Sequence, residues 1–248
     1  MTRVIASELL KLRTTRTFYG VTLGALGLVA LITTAATAAS SFDAHDPRVT
    51  DVLAIAGLAQ SFALVLGILA VTTEARHRTL TPSLLIVPDR VRLVLAKLAA
   101  HLGASLALGA VTFACCAALA LAILDARGIH THLDGRDIAA YVAGGTAATA
   151  LFAALGVGLG AIVHNQVGAI VGALAYLFAI EPLLAIVPGL HAAVQKYGVI
   201  GVANGLTGTS SDPATVLARL PAGLLLTAYA ATFVILGIAM MRRRDMSA

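Results

Sequence analysis

The sequence predicts an all-α, polytopic membrane protein, and three observations lead there. Of its 248 residues 59% are apolar and only 12% are charged, against roughly 45–50% and about 25% in an ordinary soluble domain. The mean hydropathy of +0.93 leaves too few polar side chains to cover a water-facing surface. Six stretches each supply the ~20 mostly apolar residues that a hydrocarbon core of ~30 Å requires. A soluble enzyme, a disordered chain and a nucleic-acid-binding domain are thereby excluded. The pI near 9.6 does not bring nucleic acid back as a partner, because the excess is only 17 Lys and Arg over 12 Asp and Glu.

The spans run over about 19–40, 52–73, 102–124, 139–163, 167–187 and 220–241 of a single transmembrane domain, 1–248. The first is uncharged as far as Asp43. Ala36-Thr37-Ala38 resembles a signal-peptide cleavage site, but the apolar run is longer than the 7–15 residues of a signal core, so an uncleaved span is expected. The second carries only Gln60 and Ser61 as polar interruptions over 53–71, and the third grows out of a charged base, Asp89 to His101. The fourth ends at His164-Asn165-Gln166, the fifth is broken by Glu181-Pro182, and the sixth stops at Arg242-Arg243-Arg244. Basic residues set the orientation. With both termini inside, the outer segments hold five of the seventeen Lys and Arg (Arg48, Arg127, Arg136, Lys196 and Arg219) and the inner ones hold twelve. The expected topology is N-in, C-in.

The polar segments have their own pattern. Thr2 to Phe18 reads as an amphipathic interfacial helix, with Arg3, Ser7, Lys11 and Thr14 on one face and Ile5, Leu9 and Leu12 on another. Such a helix can meet anionic membrane lipid or simply anchor the first span. Residues 74–97 form the one substantial inner loop. Thr81-Pro82 supplies a cap with proline at the first helical position, and Pro88 stops that helix after about two turns. Asp89 is then placed to cap the helix of the third span. Leu80, Leu84 and Val87 share a face, flanked by Arg76, Arg78, Arg90 and Arg92; an exposed apolar ridge of this kind needs the membrane or another protein against it. The loop 188–219 is half apolar and is expected to contain short helices.

Catalytic motifs are missing from the sequence. There is no G-x-x-x-x-G-K-[ST], so ATP hydrolysis would fall to another chain, and no H-E-x-x-H or G-x-S-x-G. His130, His132 and Asp134 form the one metal-like grouping, in a short loop where a designed site is not expected. Gly156, Gly158 and Gly160, like the pairs Gly168/Gly172 and Gly20/Gly24, read as places of close helix packing. Cys115 and Cys116 are expected as small core residues, and Thr33, Thr34 and Thr37 as side chains bonded back to their own helix.

Three segments carry a resemblance to a known family. SELLKLRTTRTF leads directly into the first span. GILAVTTEARHRTLTPSLLIVPDRVRLVLAKLAA places an acid at the end of the second span, then a turn, a proline and a basic start to the third, with matches at Glu74, Thr79, Leu80, Pro88, Arg90 and Lys97. Glu181-Pro182-Leu183-Leu184 with Pro188 closes the fifth span. Together these resemble the permease subunit of a bacterial ATP-binding-cassette exporter, of the type-2 permease family. Arg78 stands where glycine is common.

The resemblance implies a multi-pass subunit of the bacterial plasma membrane that pairs with a second permease copy or paralogue and docks two separate ATPase subunits. ATP and magnesium would bind on those subunits, and this chain would carry no cofactor and no catalytic residue. The loop between the second and third spans would supply the coupling helix, making Glu74, Arg76, Arg78, Thr79, Leu80, Leu84, Val87, Pro88 and Arg90 the coupling residues. Two other classes fit the composition: an ATP-independent secondary transporter or channel, and a non-transporting membrane scaffold or immunity protein. The first of these would call for several ionisable groups along the spans, whereas Glu181 alone lies clearly inside one. Pro182 removes a helical hydrogen bond beside it, so Glu181 and Pro182 either line the translocation path or fix the turn into the 188–219 loop.

Overall fold

The computed structural model describes residues 2–39, 48–76, 89–129, 131, 133–163, 165–210 and 214–243. Among them there are helices and no strand. In chain order these are α1 (Thr2–Thr14), α2 (Arg16–Ala39), α3 (Arg48–Ala54), α4 (Leu58–Arg76), α5 (Arg90–Ala126), α6 (Gly135–Ile162), α7 (Gln166–Ala175), α8 (Glu181–Ile186), α9 (His191–Tyr197), α10 (Val199–Thr207) and α11 (Arg219–Arg243). A 3₁₀ turn at Ile55–Gly57 joins α3 to α4, and a π turn at Tyr176–Ile180 joins α7 to α8. Six helical stretches are long and apolar enough to cross a membrane: Arg16–Ala39, Val49–Glu74, Val91–Ala126, Gly135–Ile162, Gln166–Ile186 and Arg219–Arg242.

Sequence-local chemistry explains where these helices begin and bend. Asp89 caps α5, its carboxylate accepting from the Val91 N–H at 3.0 Å and the Arg92 N–H at 3.3 Å. Asp134 caps α6 in a reciprocal box with Asp137, so the acid of the metal-like grouping is committed to a helix terminus. Asn165 caps α7 through the Gly168 N–H. The π turn ends one residue before Glu181-Pro182. A proline lacks the N–H that would bond four residues back, and the helix absorbs that loss by widening locally.

The core sits on α6. Over its apolar window α6 is 72% buried, against 22% for the first, fifth and sixth spans. It packs along α4, α5 and α11. Small residues make that possible. A side chain at Gly67 would strike the backbone of Ala153 and Val157, one at Gly156 the backbone of Leu64, and one at Gly158 the backbone of Phe233 and Val234. With no Cβ in the way, α6 meets α4 and α11 backbone to backbone, and Leu64, Ile68, Phe152, Leu226 and Ala230 close over the seams. The glycine pairs elsewhere behave differently. Nothing lies within 4 Å of a Cβ built at Gly20, Gly24 or Gly172, and Gly168 meets only its own capping Asn165. Those faces are open within this chain, contrary to the close packing that the spacing suggests.

A second cluster joins Val29 of α2, Val52 and Leu53 of α3, Phe113 and Cys116 of α5 and Tyr141 of α6. Here Thr37 bonds back to the Thr33 carbonyl at 2.6 Å, as its position in an apolar helix suggests. The Thr33 hydroxyl instead lies 3.4 Å from Cys116 Sγ across the α2–α5 contact. The Tyr141 hydroxyl donates to the Leu53 carbonyl at 2.7 Å.

The seam reading gives a direct test. Gly156→Ala should destabilise by about 1–3 kcal/mol through overpacking, seen as a lowered melting temperature in detergent, whereas Gly24→Ala should leave it unchanged. Equal effects would deny the seams their role.

Candidate functional site

Two polar constructions are buried at opposite ends of the bundle. The first lies on the side that holds the N-terminus. Lys97, two turns into α5 and only 4% exposed in its side chain, stands between two carboxylates. Its Nζ is 3.0 Å from Glu8 Oε2 on α1 and 2.7 Å from Glu74 Oε1 near the end of α4. Lys11 repeats the arrangement from outside: its Nζ is 2.6 Å from Glu8 Oε1 and 2.9 Å from Glu74 Oε1, with its side chain 49% exposed. Among the described residues two acids and two ammoniums thus make a charge-balanced quartet that ties the surface helix to the second and third spans. Lysine suits this position, because a compact ammonium with three rotatable donors can serve two carboxylates from one point. Just above, His101 is buried and its Nδ1 lies 2.9 Å from the Lys97 carbonyl, to which it can only donate. A cavity of about 350 Å³ opens beside the quartet, with Thr15, Arg76 and Gln166 also on its wall.

Charge balance shows in Glu8 and Lys11, which lie on α1 outside the spans. Burial works against the Glu8 carboxylate, but Lys97 and Lys11 outweigh it and hold its pKa below the ordinary carboxylate value. Burial likewise works against the Lys11 ammonium, and its hydrogen bonds to Glu8 and Glu74 raise its pKa above the ordinary lysine value. Both groups are charged across the neutral range.

The second construction centres on Glu181, the first residue of α8 and only 3% exposed. Its carboxylate accepts from the N–H groups of Val199 at 3.1 Å, Ile200 at 2.7 Å and Gly201 at 3.4 Å. These are the orphan donors at the start of α10, and the helix dipole favours a negative charge there. A Cβ at Gly198 would collide with that carboxylate, so glycine at 198 is what lets the acid reach the helix end. Glu181 therefore folds the chain after the fifth span back into the bundle. α10 then packs on α6 and α11 and ends at Gly208, whose φ of 75° is the left-handed closure that glycine permits.

The structure brings together only part of the sequence-derived coupling set. Glu74 joins the quartet, Arg76 is exposed at the cavity rim, and Arg90 is the first residue of α5 behind the Asp89 cap. Arg78, Thr79, Leu80, Leu84, Val87 and Pro88 lie outside the described residues. Glu8 is the participant that the motif did not single out. The signal was present: Glu8 is the one acid before Asp43 and lies three residues from Lys11. Among the described residues no group of His, Cys, Asp and Glu is arranged to hold a metal.

A helical bundle of six spans, with a surface helix bound by ions to the second and third of them, defines a multi-pass membrane protein with a fixed N-terminal appendage. The chain belongs to the ABC-2 family of transporter proteins: the model described as ABC-2 family transporter protein matches residues 4–181. That range runs from α1 to Glu181; it contains the whole of the first construction and, of the second, the acid but not the helix start that it caps. The protein is a membrane-spanning transport permease. No curated protein matches it.

Two measurements test the site. Lys97→Met leaves the buried Glu8 carboxylate and the partly buried Glu74 carboxylate short of a cation and should cost about 3–5 kcal/mol, whereas Lys11→Met at the exposed edge should cost about 1 kcal/mol or less; thermal unfolding in detergent reads both. The pH dependence has a definite sign. Glu8's contribution is present above the ordinary carboxylate range and is lost as pH falls through its lowered pKa. Lys11's is present below the ordinary lysine range and is lost as pH rises through its raised pKa. Hydrogen-exchange protection of α1 should therefore be flat around neutrality and fall at both extremes. At the other end, Glu181→Ala leaves all three N–H groups without their acceptor and should lower folded yield. Glu181→Gln, which keeps one acceptor oxygen, should be milder by about 1 kcal/mol.

Proposed function

We propose that this chain is the permease half of an ATP-driven exporter of the bacterial plasma membrane. It forms the translocation path with a second copy or a paralogue and is driven by separate ATPase subunits docked on its cytoplasmic side. Family membership supports this, and so does the placement of the quartet. Lys97 and Glu74 flank the 77–88 segment in sequence, and Glu8 and Lys11 clamp the surface helix to the same two span ends. A push on that segment would thus be delivered to α1, α4 and α5 together. This linkage is the observation that carries the reading.

In this scheme the N-terminus and the 74–97 loop are cytoplasmic, in accord with twelve of seventeen basic residues on that side. Leu80, Leu84 and Val87 form the ridge that enters a groove on the ATPase. Arg76, Arg78 and Arg90 flank it, while Thr79 and Pro88 set its bounds. ATP and magnesium stay with the partner, so the purified chain should not hydrolyse ATP. Glu181 and Pro182 shape the outer end of the path by anchoring α10.

Co-purification tests the assignment. A stoichiometric soluble ATPase should accompany the permease, and Leu84→Asp should abolish its retention while membrane insertion stays normal, because an unpaired carboxylate in a desolvated groove costs a few kcal/mol. Undiminished ATPase binding by Leu84→Asp would remove the loop as the docking element. ATP turnover by the isolated chain would remove the assignment itself.

A further inference from the structure

A second cavity, larger than the one beside the quartet, lies within the bundle. It measures about 500 Å³ and lies among α4, α6, α7 and α11, walled by Leu64, Phe152, Leu155, Ala169, Leu177 and Phe233. Its size is that of a ligand site rather than a packing defect. Its ends are definite. Val163 and Gly168 mark one, at the α6–α7 turn on the N-terminal side of the membrane, and Tyr197 and Val199 mark the other, beside α10. Tyr176, ten residues before Ile186, is about 15 Å below the end of the fifth span at ~1.5 Å per residue. The cavity therefore follows the membrane normal through the half of the bilayer that holds the N-terminus and ends near mid-depth or beyond.

The polar side chains on its wall are three tyrosines, Tyr176, Tyr197 and Tyr229, and the Tyr229 hydroxyl donates to the Tyr197 carbonyl at 2.9 Å. The rest of the wall makes no polar demand on what fills it. The fifth span is held by α4, touches α6 lightly and is not packed along α11, and the slot edge is made of Gly168, Ala169, Gly172 and Ala173. The neighbouring outer faces expose Val167, Val171 and Ile235, apolar surfaces suited to hydrocarbon. A largely apolar space that opens between the fifth and sixth spans would forfeit its dispersion contacts if empty.

We propose that this cavity is a lipid site, which seats one acyl chain of a phospholipid from the leaflet holding the N-terminal helix, inserted through the slot between the fifth and sixth spans. The headgroup stays at the α6–α7 turn, and the chain runs up against Phe152 and Leu177 to the tyrosines. The lipid is a resident filler that holds the loosely packed fifth span to the core. It is independent of ATPase docking, since its evidence lies within one chain.

The protein contains no tryptophan, which gives a clean test. Phe152→Trp places a reporter on the cavity floor, Phe113→Trp a buried reference away from the cavity, and Ile235→Trp an exposed reference. In bilayers of phospholipid brominated on its acyl chains, quenching of Phe152→Trp should approach that of Ile235→Trp and far exceed that of Phe113→Trp. Adding Gly172→Leu, whose side chain enters open space at the slot, should abolish the excess. As a second readout that needs no tryptophan, native mass spectrometry should find phospholipid retained by the unaltered chain and lost from Gly172→Leu. Quenching of Phe152→Trp no greater than that of Phe113→Trp, as when a second copy seals the slot, would overturn the proposal. So would equal lipid retention by Gly172→Leu.

Discussion

A lysine ammonium removed from water is tolerable only where opposite charge and hydrogen-bond acceptors surround it, and this bundle supplies both at Lys97. The two acceptors come from chain segments 89 and 23 residues away. Their identity decides the architecture at this end of the molecule. Glu8 can reach Lys97 only if α1 lies against α5, and Glu74 only if α4 ends beside it. The desolvation of the ion is a cost that hydrophobic residues would avoid, but an apolar contact would let α1 slide along the membrane surface. The quartet fixes it in register. Lys11, half in water, adds little energy and completes the neutrality that lets Glu8 stay charged.

The remainder of the bundle follows a different rule. Within hydrocarbon there is little hydrophobic drive for one helix to prefer another, so close approach and shape decide. Gly67, Gly156 and Gly158 let α6 touch α4 and α11 at the backbone, and this makes α6 the axis on which the other spans are hung. The first and fifth spans lack such seams and keep their apolar faces outward. Rigidity is thus concentrated in α4, α5, α6 and α11, and the quartet connects the surface helix to two of these four. Glu181 performs the equivalent service at the other end. All three glutamates of the chain, Glu8, Glu74 and Glu181, are in this way joints between elements.

Much of this was legible in the residues, and the reasons for the rest are physical. Hydropathy alone identifies a six-span helical protein, because a bilayer imposes one length on every span. Caps at Asp89 and Asn165 follow from local backbone chemistry, and Pro88-Asp89 marks the first of them in the sequence. Glu74 and Lys97 stand out through the family-like segment and Glu181 through its depth. The pairing of Glu8 with Lys97 was not legible, because it depends on which way a surface helix rolls, and no local pattern sets that. The glycine spacings were misleading for the same kind of reason. Gly156 and Gly20 look alike in sequence, and only the presence or absence of a neighbouring helix distinguishes them.

A double-mutant cycle between Glu8 and Lys97 measures the central interaction most directly. Glu8→Gln, Lys97→Met and the pair would be compared by reversible unfolding in detergent. If Lys97 holds α1 to the bundle, the double variant should be far less destabilised than the two single losses added together, with a coupling of about 1–3 kcal/mol. Losses that simply add, to within about 0.5 kcal/mol, would show that the surface helix is held by something other than this ion pair.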